Sequence, residues 1–227
     1  MDEKLIKSEL VDAWKNVLIP QRQYQEVVLD ALEKYRNGLS IEVFDVLVNI
    51  LKDNILELNK KTLLEIGCAS GYYSEVLRLK GIDVEYHGCD YSVAYIDFAR
   101  KLYPEIDFQV QDARFMTYPD KHFDIVVLGG CLLHIKEFDL AIAEAARIAK
   151  NYVISHRTPI WHKKETSFHI KVAYGVEMFE IHFNERELLK LFRKNSLKII
   201  DIITYNFGFQ EGLMDVFTYK TYLCIKD

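Results

Sequence analysis

The spacing of apolar residues changes character near residue 60. Over residues 3–19, Leu5, Leu10, Trp14, Val17 and Leu18 recur at helical spacing, and Pro20 is expected to end that helix. A second helix is expected over Tyr24–Arg36, closed by Asn37-Gly38, and a third from a Ser40 cap toward Leu56. Beyond that, short strand-like runs alternate with helical stripes: strand 62–66, helix 71–80, strand 83–89, helix 92–102, strands 106–110 and 123–128, helix 137–149, strand 151–156. Such alternation predicts right-handed crossovers and a parallel sheet with helices on both faces. Asn184-Glu185-Arg186-Glu187 has capping-box spacing and opens a helix to about Asn195. Leu197–Tyr205 and Asp215–Ile225 then read as an antiparallel pair at the sheet edge. The expected fold class is α/β: a three-layer αβα, doubly wound, mostly parallel seven-stranded sheet with an antiparallel C-terminal strand pair and an N-terminal helical extension. One domain is expected over 1–227, divided as 1–58, 60–157, 158–183 and 184–227.

The first strand carries the most information. Leu63-Leu64-Glu65-Ile66 breaks into Gly67-Cys68-Ala69-Ser70-Gly71, and helical spacing resumes at Tyr72 and runs until Gly81. Small residues at 67, 69 and 71 let the backbone approach a ligand, and glycine accepts the positive φ such a turn needs. The helix start behind it offers backbone N–H groups. Asp90 ends the next strand, about 20 residues on, where a carboxylate would grip a ribose diol. A dinucleotide turn wants a third glycine, and Tyr72 disfavours an NAD-dependent oxidoreductase. Glu65, two residues before the first glycine, would repel a pyrophosphate and welcome an ammonium.

At these residues the chain resembles the class I S-adenosylmethionine-dependent methyltransferases, of the type that acts on small molecules. The resemblance covers residues 60–157, from the acid–glycine motif through Asp90, Phe108–Ala113 and Phe123–Gly130. The cofactor-binding set it implies is Glu65, Gly67, Cys68, Ala69, Ser70, Gly71, Asp90, Tyr91, Ser92, Asp112, Ala113, Gly129 and Gly130, with Asp90 on the ribose and Asp112 on the adenine. It implies S-adenosyl-L-methionine as cofactor, S-adenosyl-L-homocysteine as product, and no metal. Two departures stand out: Ala69 replaces the usual glycine, and no Lys-Pro-Gly-Gly turn precedes Tyr152.

With 227 residues, half of them hydrophobic, the chain can bury one substantial core. Its formal charge is −5, and no run of Lys or Arg exceeds two residues, which argues against a nucleic-acid partner. An acidic start followed by no long apolar run predicts neither a secretory signal nor a membrane span. Cys68, Cys89, Cys131 and Cys224 lack metal or redox spacing and read as reduced, cytoplasmic residues. A homodimer is compatible with this reading.

The acceptor is constrained mostly by what is missing. Leu128-Gly129-Gly130-Cys131 replaces the Asp/Asn-Pro-Pro-aromatic turn of nucleobase amine methylation. Cys131 lacks the preceding proline of a cytosine-attacking thiol, and Leu132–Lys136 supply no carboxylates for a catechol-binding metal. His156, His162 and His169 lack metal-ligand spacing. His134, just past the fourth strand, and His156, at the expected end of the fifth, are the candidate catalytic bases, and hydroxyl acceptors are favoured over nitrogen or carbon. Arg22, Tyr24, Arg157 and Tyr174 are the candidate substrate-binding residues, with Glu180 as a further orienting candidate should neither histidine act as base. The aromatic-rich 158–183 segment is expected to form an acceptor lid. A second reading is a silent S-adenosylmethionine-binding scaffold or regulator.

Overall fold

The computed structural model describes residues 8–161, 164–205 and 217–226. Its first part is helical: α1 (Ser8–Val11), a 3-10 turn at Ala13–Lys15, α2 (Ile19–Gln23), a π-helical turn at Tyr24–Val28, α3 (Leu29–Arg36) and α4 (Glu42–Asn54). Residues 3–7 of the expected first helix lie outside the described residues. Pro20 starts a helix rather than ending one. It sits in the first turn of α2, where its missing N–H has no intrahelical partner to lose. The expected Ser40 cap is displaced by one residue: Ile41 occupies the N-cap, and the Ser40 hydroxyl donates to Asp45 Oδ2 at 2.5 Å.

From residue 62 the expected alternation is present: β1 (Thr62–Ile66), α5 (Tyr73–Leu79), β2 (Glu85–Asp90), α6 (Val93–Leu102), β3 (Asp107–Val110), β4 (Phe123–Gly129), α7 (Phe138–Ile148) and β5 (Ala149–Trp161). There follow β6 (Ser167–Ala173), β7 (Val176–Asn184), α8 (Glu185–Lys194), β8 (Leu197–Tyr205) and β9 (Phe217–Lys226). Residues 215–216 of the last expected strand lie outside the described residues. The main sheet runs β3-β2-β1-β4-β5-β9-β8, with β1 to β5 parallel and β9 antiparallel to both β5 and β8.

Two features depart from expectation. β5 runs on to Trp161, so residue 156 is mid-strand rather than at a strand end. The 158–183 stretch is regular structure where a long connection is expected: the end of β5 followed by a β6–β7 hairpin. Phe168, Ile170 and Val172 alternate with polar or small neighbours, a period of two. Tyr174 and Gly175, both at positive φ, close the hairpin as a two-residue turn of the type that matches strand twist. The hairpin joins β5 only at Ile160–Phe183 and Trp161–Asn184.

Successive residues of a strand point to opposite faces, and β4 shows the result. Val126 and Leu128 pack under α7 and α8 with Ala141, Ile142, Leu188 and Phe192. Ile125 and Val127 pack beneath α3 to α5 with Leu32, Leu47, Ile50 and Val76. Each large apolar side chain so buried contributes roughly 1.5–3 kcal/mol. These two layers fix the carboxyl edge of β1, β2, β4 and β5, the edge at which open α/β sheets bind ligands. Among the described residues, no helix is long and apolar enough to cross a membrane.

Candidate active site

That edge opens into a cavity of about 390 Å³, bounded on its other side by the N-terminal helical segments and the hairpin. One end is acidic and built largely from backbone. Gly67, at φ +70°, turns the chain so that the N–H groups of Gly67 and Cys68 both donate to the Cys89 carbonyl, at 2.8 and 3.0 Å. A Cβ at Gly67 would collide with Cys131, so both conformation and space require glycine there. Ala69 sits in the left-handed region at φ +49°, a strained place for a residue with a Cβ. Its N–H donates to Asp90 Oδ2 at 3.2 Å, and the Ser92 N–H donates to Oδ1 at 3.0 Å. Burial pushes the Asp90 carboxyl up to about 6, against the pull of those N–H groups.

Glu65 is fully buried and accepts a hydrogen bond from the Tyr86 hydroxyl. Burial pushes its carboxyl up to about 8, the Tyr86 hydroxyl opposing and the Asp90 charge adding to the rise. A side chain at Gly129 would overlap the Glu65 carboxylate, so the missing Cβ at 129 is what admits this acid. At the far side Arg114 holds Asp112 with two charge-assisted bonds, Nε to Oδ1 at 2.9 Å and Nη2 to Oδ2 at 2.7 Å. Its remaining nitrogen, Nη1, bonds Glu137 Oε2 at 2.7 Å. The guanidinium holds the Asp112 carboxyl below the ordinary range.

Cys68, Tyr91, Ala113 and Gly130 line the cavity with these acids, whereas Ser70, Gly71 and Ser92 do not. Ser70 and Ser92 are fully buried, and Gly71 backs onto Phe108, so the second half of the turn faces the sheet. Cys131 lines the cavity but donates to the Ile66 carbonyl at 3.2 Å, and burial pushes its thiol far up, away from any thiolate role.

The other end is made of side chains brought from distant segments. His134 lies on the 3-10 turn Leu132–His134 that follows β4, with Nδ1 2.9 Å from the Phe179 carbonyl. A carbonyl accepts only from N–H, so Nδ1 carries the proton and Nε2 is left as an acceptor on a ring that lines the cavity. Trp14 meets that ring edge-on, centroids 4.8 Å apart. Burial pushes the imidazole down to about 4, with the Glu180 charge and the Phe179 carbonyl opposing, so the ring is neutral at pH 7. Glu180 is buried on the same wall and pairs with Lys171 Nζ at 3.0 Å. Arg157 and Tyr174 also line this end, and both have positive φ, Arg157 at the bulge in β5 between Ser155 and Thr158.

Three of the expected catalytic and substrate-binding residues also fail to line the cavity. His156 is buried on the face packed by α5: its Nε2 is 2.8 Å from the Tyr73 hydroxyl and its Nδ1 2.9 Å from Thr221 Oγ1. With both nitrogens engaged and no route to the cavity, it is a core residue. Arg22 reaches the hairpin instead, Nη1 donating to the Tyr174 carbonyl at 3.0 Å, and Tyr24 packs edge-on against Phe98. Sequence reasoning missed Trp14, Gln23, Lys171 and Met178. For Lys171 and Met178 the signal was the period-two alternation of the hairpin; for Trp14 and Gln23 the sequence offered none. His169 and His182 stack outside the cavity with centroids 4.4 Å apart, and His162 lies outside the described residues.

Residues 64–153 match the family described as a methyltransferase domain. A demethylmenaquinone methyltransferase of Renibacterium salmoninarum is 30% identical over 88 residues, 39% of this chain and 36% of that protein. A release factor glutamine methyltransferase of Dictyoglomus turgidum is 26% identical over 199 residues, 84% of this chain. The chain spans 36% and 62% of the length of these two curated relatives. Among solved structures, an S-adenosylmethionine-dependent methyltransferase of Methanosarcina mazei superposes with a TM-score of 0.62 at 19% identity, covering 78% of this chain and 96% of that one. Residues 64–153 thus match a methyltransferase domain, and the chain has the fold of the S-adenosylmethionine-dependent methyltransferase on which it superposes.

Proposed function

We propose that this protein transfers a methyl group from S-adenosylmethionine to a hydroxyl of a small-molecule acceptor. The observation that carries the reading is one cavity joining the Glu65–Asp90–Asp112 wall to a neutral His134 whose Nε2 accepts. The donor set suits the cofactor. Two buried carboxylates stand where a cationic aminoacyl end and a ribose diol need them, and no Lys or Arg stands in the glycine turn to hold a pyrophosphate. When bound, S-adenosylmethionine supplies an electrophilic methyl on a sulfonium that leaves as a neutral thioether.

The chain's own residues supply alignment, dryness and a proton acceptor. Positioning alone contributes roughly 7–11 kcal/mol when reacting groups are held in line. The rings of Trp14, Tyr95 and Tyr174 wall the acceptor end and exclude water. His134 Nε2 orients the hydroxyl by accepting its hydrogen bond and takes its proton as the carbon–oxygen bond forms. The developing oxonium is a far stronger acid than the free hydroxyl, so even an imidazole at about 4 is base enough.

Thermal unfolding with candidate ligands tests the cofactor assignment. S-adenosylmethionine or S-adenosylhomocysteine at a hundredfold excess over Kd is expected to add about 2.7 kcal/mol, a shift of roughly 5–10 °C. NAD is expected to add nothing. A shift with NAD alone sinks the reading. Uptake of labelled methyl into fractions of a small-metabolite extract then identifies the acceptor; binding without uptake would make the protein a scaffold.

A further inference from the structure

Glu180 is a buried carboxylate on the cavity wall to which the mechanism above gives no task. Such a group is costly to keep dry with a single, half-exposed ammonium as partner. Its placement suggests what it is for. On β7, Phe179 turns its ring into the core and its carbonyl toward His134 Nδ1, while the next residue turns its side chain into the cavity that His134 also lines. From β6, diagonally across the hairpin register, Lys171 reaches the same carboxylate.

We propose that Glu180 is a positioning residue for His134: held on the cavity wall by Lys171, its carboxylate stabilises the imidazolium formed when Nε2 takes the acceptor's proton. The inference rests on the methyl transfer proposed above. In the step concerned the acceptor O–H bond breaks, its electron pair stays on oxygen, the proton goes to Nε2, and the ring gains one positive charge. The charges that act on this ring are those of Glu180 from β7, Lys171 from β6 and Arg157 from β5, all three lining the same cavity, and Trp14 meets it with an uncharged ring. Two of the three charges are cations that oppose the imidazolium, so without Glu180 the protonated ring would meet repulsion alone. Lys171 has a second effect, restraining the carboxylate while weakening its pull.

The test is side-chain NMR of His134 as pH is varied, with S-adenosylhomocysteine bound and the resonance assigned by its loss in His134→Gln. Glu180→Gln is expected to move the titration to lower pH and Lys171→Met to higher pH, each by up to about one pH unit. Turnover on the acceptor found by methyl uptake is expected to fall about tenfold in Glu180→Gln with KM within a few-fold. A His134 titration identical in all three proteins overturns the proposal. Turnover that survives His134→Gln overturns it from beneath, by removing the base; that failure is recognisable because the titration would still respond to residue 180. Lys171→Met leaves the carboxylate in place, so the test remains decisive if Glu180→Gln does not fold.

Discussion

The two ends of the cavity are built by different means. The acidic end comes from four parallel strands and the turns that follow them, and its shape is set by backbone: N–H groups gathered on the Cys89 carbonyl and on Asp90, and missing Cβ atoms at Gly67 and Gly129. The opposite end is assembled from side chains of the N-terminal segments, the turn after β4 and an added hairpin. One of its ties, the hydrogen bond from Arg22 to the Tyr174 carbonyl, spans 152 residues of sequence. A backbone-built site admits few substitutions and suits a ligand that never changes. A side-chain wall hung on a hairpin can be altered residue by residue without moving the sheet. On the function proposed above, the first end would serve a common cofactor and the second an individual acceptor, which is what their different construction teaches.

Substitutions at the two ends should therefore separate cleanly. The largest effect is expected for His134→Ala, which lowers turnover by about 10²–10⁴-fold with S-adenosylhomocysteine affinity nearly unchanged; steady-state kinetics beside calorimetric binding checks both halves. His156→Ala should do the reverse. It takes the imidazole partner from Thr221 and leaves Tyr73 only a 3.4 Å bond to the Val43 carbonyl, each at about 1–3 kcal/mol, and lowers the unfolding midpoint by roughly 5–15 °C while folded protein keeps its turnover. Were turnover to fall and stability to hold, the two histidines would have to exchange roles. Asp90→Ala is expected to weaken cofactor binding by about 2–3 kcal/mol, with acceptor KM at saturating cofactor unmoved.

A smaller effect concerns pH. In the ligand-free protein Glu65, at about 8, is protonated at pH 7, whereas a bound ammonium needs it ionised. Cofactor affinity should therefore rise with pH, by close to tenfold per unit below about 8, and binding at pH 7 should release a proton to buffer. Calorimetry in buffers of differing ionisation enthalpy measures that proton, and Glu65→Gln should abolish it. The smallest effect is expected at Ala69, where Ala69→Gly relieves the strain at φ +49° and stabilises the fold by about 0.5–1 kcal/mol. A loss of stability there would mean the turn is held more by the alanine methyl than by its backbone.

The same division decides what the sequence reveals. β1, the glycine turn and Asp90 are near neighbours in the chain, so local spacing was enough to find most of the acidic end. The alternation of strands and helices likewise gave the sheet, because each crossover writes its own period. The opposite end has no such local signature. Local pattern places His156 at a strand end, yet β5 continues to Trp161 and β9 pairs along it, which puts that ring in the core. Pro20 reads as a stop because proline is hostile to a helix interior, but it is equally at home in a first turn. The segment's length and aromatics hide its strands, although Tyr174-Gly175 between alternating residues is a turn signal of its own. Trp14 and Gln23 reach the cavity only through tertiary packing, which no local period reports.

The pair of buried acids also bears on how long the molecule lasts. Glu65 and Asp90 are kept out of water by a hydroxyl and a few backbone N–H groups. A cationic ligand seated against them relieves part of that cost and favours the closed, native population over the opened one that proteases attack. At a hundredfold excess of ligand over Kd, the degradable fraction falls by about a hundredfold. If the proposed function holds, cellular abundance of the protein would be tied to the supply of S-adenosylmethionine, through survival of the polypeptide rather than through its rate of catalysis.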